Sequence, residues 1–154
     1  MAALLVTATV LHVGDADAGD SYAKQKVVYH INYDNPKKQA GALRNIQNHI
    51  NAVGAENLEI KVVLHGNGLA LLLDPDSLEK LKKFKQANAD EKMTAKIDGL
   101  KAQGVSFNVC ANTVKGRKVD LENDLYNVDQ DDIVPSGVAE VAKLQQQGYA
   151  YIKP

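Results

Sequence analysis

Cys110 is the residue of this chain whose type and position are best suited to chemistry. It is the only cysteine among 154 residues, and it ends the apolar run 104–110. Beyond it the chain becomes polar and carries three cations, Lys115, Arg117 and Lys118. Reactive groups of an open α/β sheet lie at the carboxyl ends of its strands. Nearby positive charge favours the thiolate, the nucleophilic form of cysteine. The sequence therefore predicts either a reactive thiol or a small buried hydrophobic residue.

The residues that follow the cysteine also have two interpretations each. Asn112 and Thr113 could stabilise a sulfur anion through their side chains or amides, or they could cap a turn of helix. Lys115, Arg117 and Lys118 could attract an acidic partner or a sulfur oxyanion, or they could belong to a solvated loop. Both alternatives stay open from the residues alone.

His65 is the second candidate for a chemical role, because it closes another apolar strand as part of the turn His65-Gly66-Asn67-Gly68. As an imidazolium it could lower the pKa of the thiol or orient a sulfur donor, whereas its alternative role is to bond the backbone at the strand end. Gly66 and Gly68 could bring backbone N–H groups close to an anion, or they could only permit a tight turn. His30 lies inside a strand and is expected in the core or at an interface.

Composition narrows the classes of function. The net charge of −1, the scattered basic residues and the absence of tryptophan argue against a nucleic-acid partner. A single cysteine rules out an internal disulfide and any cysteine-cluster metal site. The four histidines show no HxxxH or HExxH spacing, so neither a metal nor another cofactor is expected.

Strands and helices alternate along the chain. Strands are predicted at 27–31, 58–64, 104–110, 133–134 and 149–152. A helix is predicted to begin at Pro36, with Asn35 as its N-cap, and to end at Gly54. Further helices are predicted after Ser77 (with Leu78, Leu81 and Phe84 on one face), through Met93, Ile97 and Leu100, and from Pro135-Ser136 to Gly148. Residues 112–132 are predicted to be mostly surface loop with one turn of helix.

This alternation predicts an α/β fold. We expect a single-domain three-layer sandwich, with a mostly parallel sheet of about five strands and helices on both faces. The folded domain is expected over residues 26–154.

Residues 1–25 are interpreted as an N-terminal extension or a possible leader. Ala2 to Leu11 is apolar and Ala16-Asp17-Ala18 has the form of a cleavage site, but a basic n-region is missing. The alternative is an ordinary strand over Leu5 to Leu11. The apolar stretch is too short to span a bilayer, so we expect a soluble protein without a membrane partner, cytoplasmic or periplasmic.

Several fragments, in this order, are similar to one known family. They are Val-Val-Tyr-His-Ile-Asn from Val27, the strand ending in His65-Gly66-Asn67-Gly68, Gly-Val-Ser-Phe-Asn-Val-Cys ending at Cys110 and followed by Ala-Asn-Thr, and the stretch from Gly137 to Pro154. Together they resemble the DsrE/DsrF-like sulfur-relay family over about residues 26–154.

The resemblance implies a compact α/β sandwich that assembles into trimers or hexamers. For members that keep the cysteine, it also implies a persulfide that is carried on that thiol and passed between sulfur-donor and sulfur-acceptor proteins. Cys110 occupies the position of that cysteine. On this basis the chain would be a sulfurtransferase-like carrier rather than an enzyme with turnover.

Three functions remain open at this stage. The first is a sulfur carrier that uses Cys110. The second is a binding module for a small anion or nucleotide, formed by the 65–68 turn and the Cys110 loop. The third is a non-catalytic oligomeric protein of the same fold.

Overall fold

The computed structural model describes residues 22–154 of the chain. The predictions of a leader and of a strand over Leu5 to Leu11 fall outside these residues. Within them, none of the helices is long and apolar enough to cross a membrane.

Five parallel strands form one sheet in the order β4-β3-β2-β1-β5. They are β1 (Gln25–Ile31), β2 (Leu58–Leu64), β3 (Ser106–Cys110), β4 (Ile133–Val134) and β5 (Ala150–Ile152). Their order confirms the predicted α/β class with a sheet of about five strands. Because all strands run the same way, their carboxyl ends share one edge of the sheet.

Within residues 22–154, the sheet is accompanied by five α-helices: α1 (Pro36–Val53), α2 (Glu91–Ala102), α3 (Ala111–Arg117), α4 (Leu121–Asp124) and α5 (Gly137–Gln146). Short 3-10 helices lie at Ala55–Asn57, Gly66–Leu71, Pro75–Ser77 and Gln130–Asp132. Helix α1 begins and ends as predicted. The Asn35 side chain accepts a hydrogen bond from the Lys38 backbone, and Gly54 ends the helix at a φ of 88°.

The helices cover both faces of the sheet, which confirms the three layers. Apolar residues of α1 and α2, such as Ile46 and Ile97, share one core cluster with Tyr29, Val62 and Phe107 of the sheet. On the opposite face, Leu144 of α5 and the following Tyr149 pack on Val28 and Val63. Residues that alternate with Val62 and Phe107 along the strands therefore face α5.

The prediction of a helix after Ser77 is wrong. A single 3-10 turn, Pro75–Ser77, is capped by Asp74, and irregular chain follows it. Ser77 is buried, and its hydroxyl donates to Asp124 Oδ1 at 2.7 Å instead of capping a helix. Leu81 and Phe84 are nevertheless buried, because the irregular chain turns them into the main core.

The interpretation of residues 112–132 as mostly loop also needs correction. Helix α3 follows Cys110 without a gap, so Asn112, Thr113 and Lys115 are helical, and Lys118 caps the helix. Only one side of α3 contacts the core, mainly through the partly buried Val114 and the following Val119. The apolar signal of one residue per turn was too sparse to predict a helix.

Candidate functional site

The carboxyl edge of the sheet gathers side chains and backbone from all five strands. In spatial order they are Gly137 after β4, Cys110 at the end of β3, His65 after β2, His30 in β1 and Tyr151 in β5. Successive side chains of a strand point to opposite faces of the sheet. The neighbours of His30 and Cys110 in their strands belong to the core under α1 and α2, so His30 and Cys110 lie on the face that α5 covers. The topology thus brings together residues that are far apart in sequence.

Cys110 lies in the wall of an open cavity. Its residue surface is 5% exposed and its thiol forms no disulfide. The cavity has a volume of about 470 Å³, and its lining residues are His65, Gly66, Lys83, Cys110, Asn112, Thr113, Gly116, Arg117, Ser136 and Val138. The thiol is therefore covered on most sides but borders a space that opens to solvent.

Hydrogen bonds around the sulfur favour its thiolate. Burial raises the pKa of the Cys110 thiol, but the backbone N–H of Gly137, the hydroxyl and N–H of Thr113 and the N–H of Asn112 lower it by more. The pKa of Cys110 is therefore held below its usual range. The donors come from two elements, the start of α3 and the start of α5, which meet at the sulfur.

Thr113 connects the sulfur to the turn after β2. The Gly66 N–H donates to Thr113 Oγ1 at 2.8 Å, which leaves the threonine proton for the sulfur. Gly66 has a φ of 56°, in the left-handed region that glycine adopts readily. The turn and helix α3 are thus held in one arrangement by the side chain that stabilises the thiolate.

Gly68 occupies a different environment from Gly66. It does not line the cavity, and a Cβ added to it would lie 1.9 Å from the Ile31 carbonyl oxygen. Its carbonyl accepts a hydrogen bond from the buried Gln39 side chain at 3.2 Å. The structure therefore gives Gly68 a packing role against β1, with no contact to the cavity.

His65 belongs to a chain of hydrogen bonds along the sheet edge. Its Nε2 lies 2.6 Å from Nε2 of His30, and the two rings stack with centroids 4.7 Å apart. Nδ1 of His30 lies 2.7 Å from the Tyr151 hydroxyl. One nitrogen of the histidine pair must donate and the other accept, so both rings cannot be protonated while this bond exists.

Both histidines of the pair have lowered pKa values, which favours their neutral forms. Burial, followed by the charges of His65 and Lys153, lowers the pKa of His30 to about 4. Burial, and then the charge of Lys153, also lowers the pKa of His65. With its pKa lowered, His65 favours the neutral form over the imidazolium considered from the sequence, and the groups that lower the pKa of Cys110 do not include it.

Gly137 allows helix α5 to approach the thiol. A Cβ added to it would lie 2.8 Å from Cβ of His65 and 3.3 Å from Cβ of Cys110. Any side chain there would push α5 away from the site. The lack of a side chain thus allows the Gly137 N–H to reach the sulfur.

The rim of the cavity is basic and partly apolar. Lys83 and Arg117 contribute the positive charge, and Val138 is 66% exposed. Among residues 22–154, no three histidine, cysteine or carboxylate side chains are arranged to hold a metal ion. The site as described is a thiol with a lowered pKa, with cations at its entrance.

A family model for the DsrE/DsrF-like family matches residues 25–154. The chain belongs to this family. Among solved structures, it is similar to "Protein of Unknown Function MTH1491" from Methanobacterium thermoautotrophicum, with 27% sequence identity and a TM-score of 0.66. That similarity covers 84% of this chain and 99% of the other. The search of curated proteins gave no match.

Sequence reasoning missed three residues of this DsrE/DsrF-like site. His30 is expected from the sequence in the core or at an interface, and Tyr151 is expected only as part of the strand 149–152. The signal for His30 was a polar residue inside an apolar strand, two positions after Val28 and thus on the same face. Gly137 follows the helix start Pro135-Ser136, but nothing local indicates the contact with Cys110, since that contact depends on the order of the strands.

Proposed function

We propose that this DsrE/DsrF-like protein is a sulfur carrier that accepts sulfane sulfur on Cys110 and passes it to another thiol. The observation that carries the proposal is the Cys110 thiol itself. Polar groups of Gly137, Thr113 and Asn112 hold its pKa below the usual range despite burial, and it borders a cavity open to solvent. A lowered pKa combined with access is what distinguishes reactive cysteines from structural ones.

The chemistry needs no cofactor and no external oxidant. The Cys110 thiolate attacks the outer sulfur of a persulfide R–S–S–H, so a new sulfur–sulfur bond forms and the old one breaks. The electron pair of the broken bond leaves on R–S⁻, and Cys110 becomes Cys110–S–S–H. The return step is the same exchange, with an acceptor thiolate as the nucleophile. Both steps conserve the total oxidation state of sulfur.

A single cysteine determines where the sulfur goes next. Cys110 has no second cysteine in the chain with which to close a disulfide. Release therefore requires another molecule or another subunit. Assembly into a trimer or hexamer, with separate donor and acceptor proteins, stays a prediction from the family resemblance.

The proposed role of His65 is positioning. Its ring forms part of the cavity wall beside the sulfur, and His30 and Tyr151 fix its orientation through hydrogen bonds. In its neutral form, the His65 ring places no positive charge beside the anionic sulfur. It thus shapes the space in which the donor persulfide meets the thiolate.

Intact mass measurement tests the proposal. Incubation with inorganic polysulfide should add sulfur to the wild-type protein, and a thiol acceptor such as glutathione should remove it again. Cys110→Ala should show no adduct, and Cys110→Ser is the isosteric control that retains a polar atom. A wild-type protein that gains no sulfur under these conditions contradicts the carrier function.

An anion-binding module is the second candidate, because Lys83 and Arg117 line the same cavity. It predicts that a small anion such as phosphate raises the melting temperature equally in the wild type and in Cys110→Ala. If phosphate no longer raised the melting temperature of Cys110→Ala, an anion-binding site that is independent of the thiol would be contradicted.

A further inference from the structure

Five cations form a continuous basic surface beside the thiol. Lys83 and Arg117 line the sulfur cavity, and both also line a neighbouring cavity of about 420 Å³. That second cavity is lined by Lys80, Leu81, Lys82, Lys83, Arg117 and Lys118. We call its five cations the basic rim. A chain with a net charge of −1 has thus concentrated positive charge at one place, next to Cys110.

Most of this charge has no carboxylate partner within residues 22–154. Of the five cations, Lys80 alone forms an ion pair there, with Asp124 at 2.5 Å. Asp34 acts on Arg117 from beyond ion-pair distance. Closely spaced cations without counterions repel one another and destabilise the folded protein. Folding stability therefore does not explain why these cations lie together.

The cations of the basic rim are not needed to lower the pKa of the Cys110 thiol. The groups that lower the pKa of Cys110 are hydrogen-bond donors from Asn112, Thr113 and Gly137, and no lysine or arginine is among them. The ionisation of the thiol therefore leaves the positive charge unexplained.

Two members of the basic rim are fixed by hydrogen bonds. Lys83 Nζ donates to the Gly116 carbonyl at 2.6 Å, and the Arg117 guanidinium donates to the Lys83 carbonyl at 3.1 Å. The same guanidinium donates to Asn67 Oδ1 at 2.7 Å and lies 4.4 Å from the centre of the Phe84 ring. Charges held in place before a ligand arrives lose less conformational entropy when it binds.

Lys118 occupies a position where its backbone conformation is unfavourable for a residue with a side chain. It caps α3 with a φ of 58°, in the left-handed region where glycine is the usual residue. Its side chain is exposed and lines the second cavity. The backbone conformation at this position favours glycine. The presence of lysine there therefore indicates a role for its charged side chain.

We propose that the basic rim is a docking surface for an acidic polypeptide segment of the protein that exchanges sulfur with Cys110. This inference rests on the proposed carrier function and names the chemistry of its partner. The exposed Val138 at the edge of the sulfur cavity supplies an apolar contact beside the charges. Charge complementarity of this kind raises association rates and fixes the orientation of a partner.

A single-stranded nucleic acid fits this surface less well. Such ligands bind through aromatic side chains on which their bases stack. The ring at the basic rim, Phe84, is 6% exposed and covered by Arg117. The described surface thus offers charge without a stacking platform.

The test compares two fluorescent peptides of equal length, one rich in glutamate and one rich in glutamine, by anisotropy at low and high salt. The glutamate peptide should bind at least about tenfold more tightly at low salt, and the advantage should disappear at high salt. The double variant Lys82→Glu/Lys118→Glu should lose the advantage. Lys92→Glu/Lys96→Glu, an exposed double substitution on α2 with the same change of net charge, should keep it. Equal binding of the two peptides, or no effect of the double variant, overturns the proposal.

Lys118→Gly separates docking from folding. It should raise the melting temperature, because glycine adopts the left-handed conformation without strain, and should still weaken binding of the glutamate peptide. A variant that is more stable and binds the peptide as well as the wild type contradicts a role for this charge. Tighter binding of an oligouridine than of the glutamate peptide would overturn the acidic-partner assignment.

Sulfur loading from inorganic polysulfide, measured in parallel, keeps the two proposals distinguishable. Peptide binding without any loading of Cys110 would refute the carrier function and leave the docking surface in place. Loading without preferential binding of the glutamate peptide would refute the docking surface and leave the carrier function in place.

Discussion

The thiol of Cys110 is stabilised as an anion by hydrogen bonds rather than by neighbouring charge. The sequence pointed to the cations after it, but the groups that lower its pKa are the Thr113 hydroxyl and backbone N–H groups at the starts of α3 and α5. A hydrogen bond to a charged group contributes about 1.5–3 kcal/mol. Each donor therefore has a measurable influence on the pKa of the thiol.

Thr113→Val should raise the pKa of Cys110, because the valine donates no hydrogen bond to the thiolate. The measurement is the rate of alkylation by iodoacetamide against pH, whose midpoint gives the pKa. Thr113→Ser retains the hydroxyl and should keep the wild-type midpoint. A Val variant with an unchanged midpoint would refute the assigned role of this hydroxyl.

At the scale of elements, the meeting of α5 with the ends of β2 and β3 forms the site. Gly137 makes this possible by leaving no Cβ between the helix start and the thiol. Gly99, in the exposed part of α2, offers a matched comparison because a Cβ there would contact nothing within 4 Å. The two glycines therefore separate a steric requirement from ordinary helix propensity.

Gly137→Ala should lower the free energy of unfolding by about 1–3 kcal/mol, because the added carbon overlaps His65. Gly99→Ala should raise it by up to about 1 kcal/mol, since alanine is the better helix former. Urea unfolding of both variants measures the difference. Equal and small effects at the two positions would contradict the close approach of α5.

The elements show which parts of the fold the sequence could predict. Helix α1 was predictable because its cap residues Asn35, Pro36 and Gly54 act locally. The helix after Ser77 was not, because its serine bonds the distant Asp124. Within the site, Cys110 and His65 were recognisable as strand ends, whereas the pairing of His65 with His30 depends on long-range strand order.

At the scale of the whole molecule, the neutral histidine pair links folding to pH. The pKa of His30 falls from 6.5 to about 4 on folding, so between these values the unfolded chain binds more protons than the folded one. Stability contributed by the neutral ring is complete above pH 6.5 and is lost as the pH falls toward 4. Discounted for the partial solvent exposure of the ring, the contribution is about 1–2 kcal/mol.

His30→Asn should therefore weaken the pH dependence of folding in this window. Urea unfolding between pH 4 and 7 should show that the wild type loses about 1–2 kcal/mol more than the variant as the pH falls. Carboxylates contribute equally to both proteins, so the difference isolates the histidine pair. Parallel curves for the two proteins would contradict a neutral, folded-state His30.

The proposed carrier function depends on the fold making Cys110 more reactive than a free cysteine. The most direct measurement is the rate of sulfur uptake from inorganic polysulfide at neutral pH, by intact mass, for the folded protein and for the same chain unfolded in urea. The folded protein should react faster, because its site holds more of the thiol as thiolate while leaving it open to the cavity. Slower uptake by the folded protein would show that the fold protects the thiol, and would contradict the carrier function.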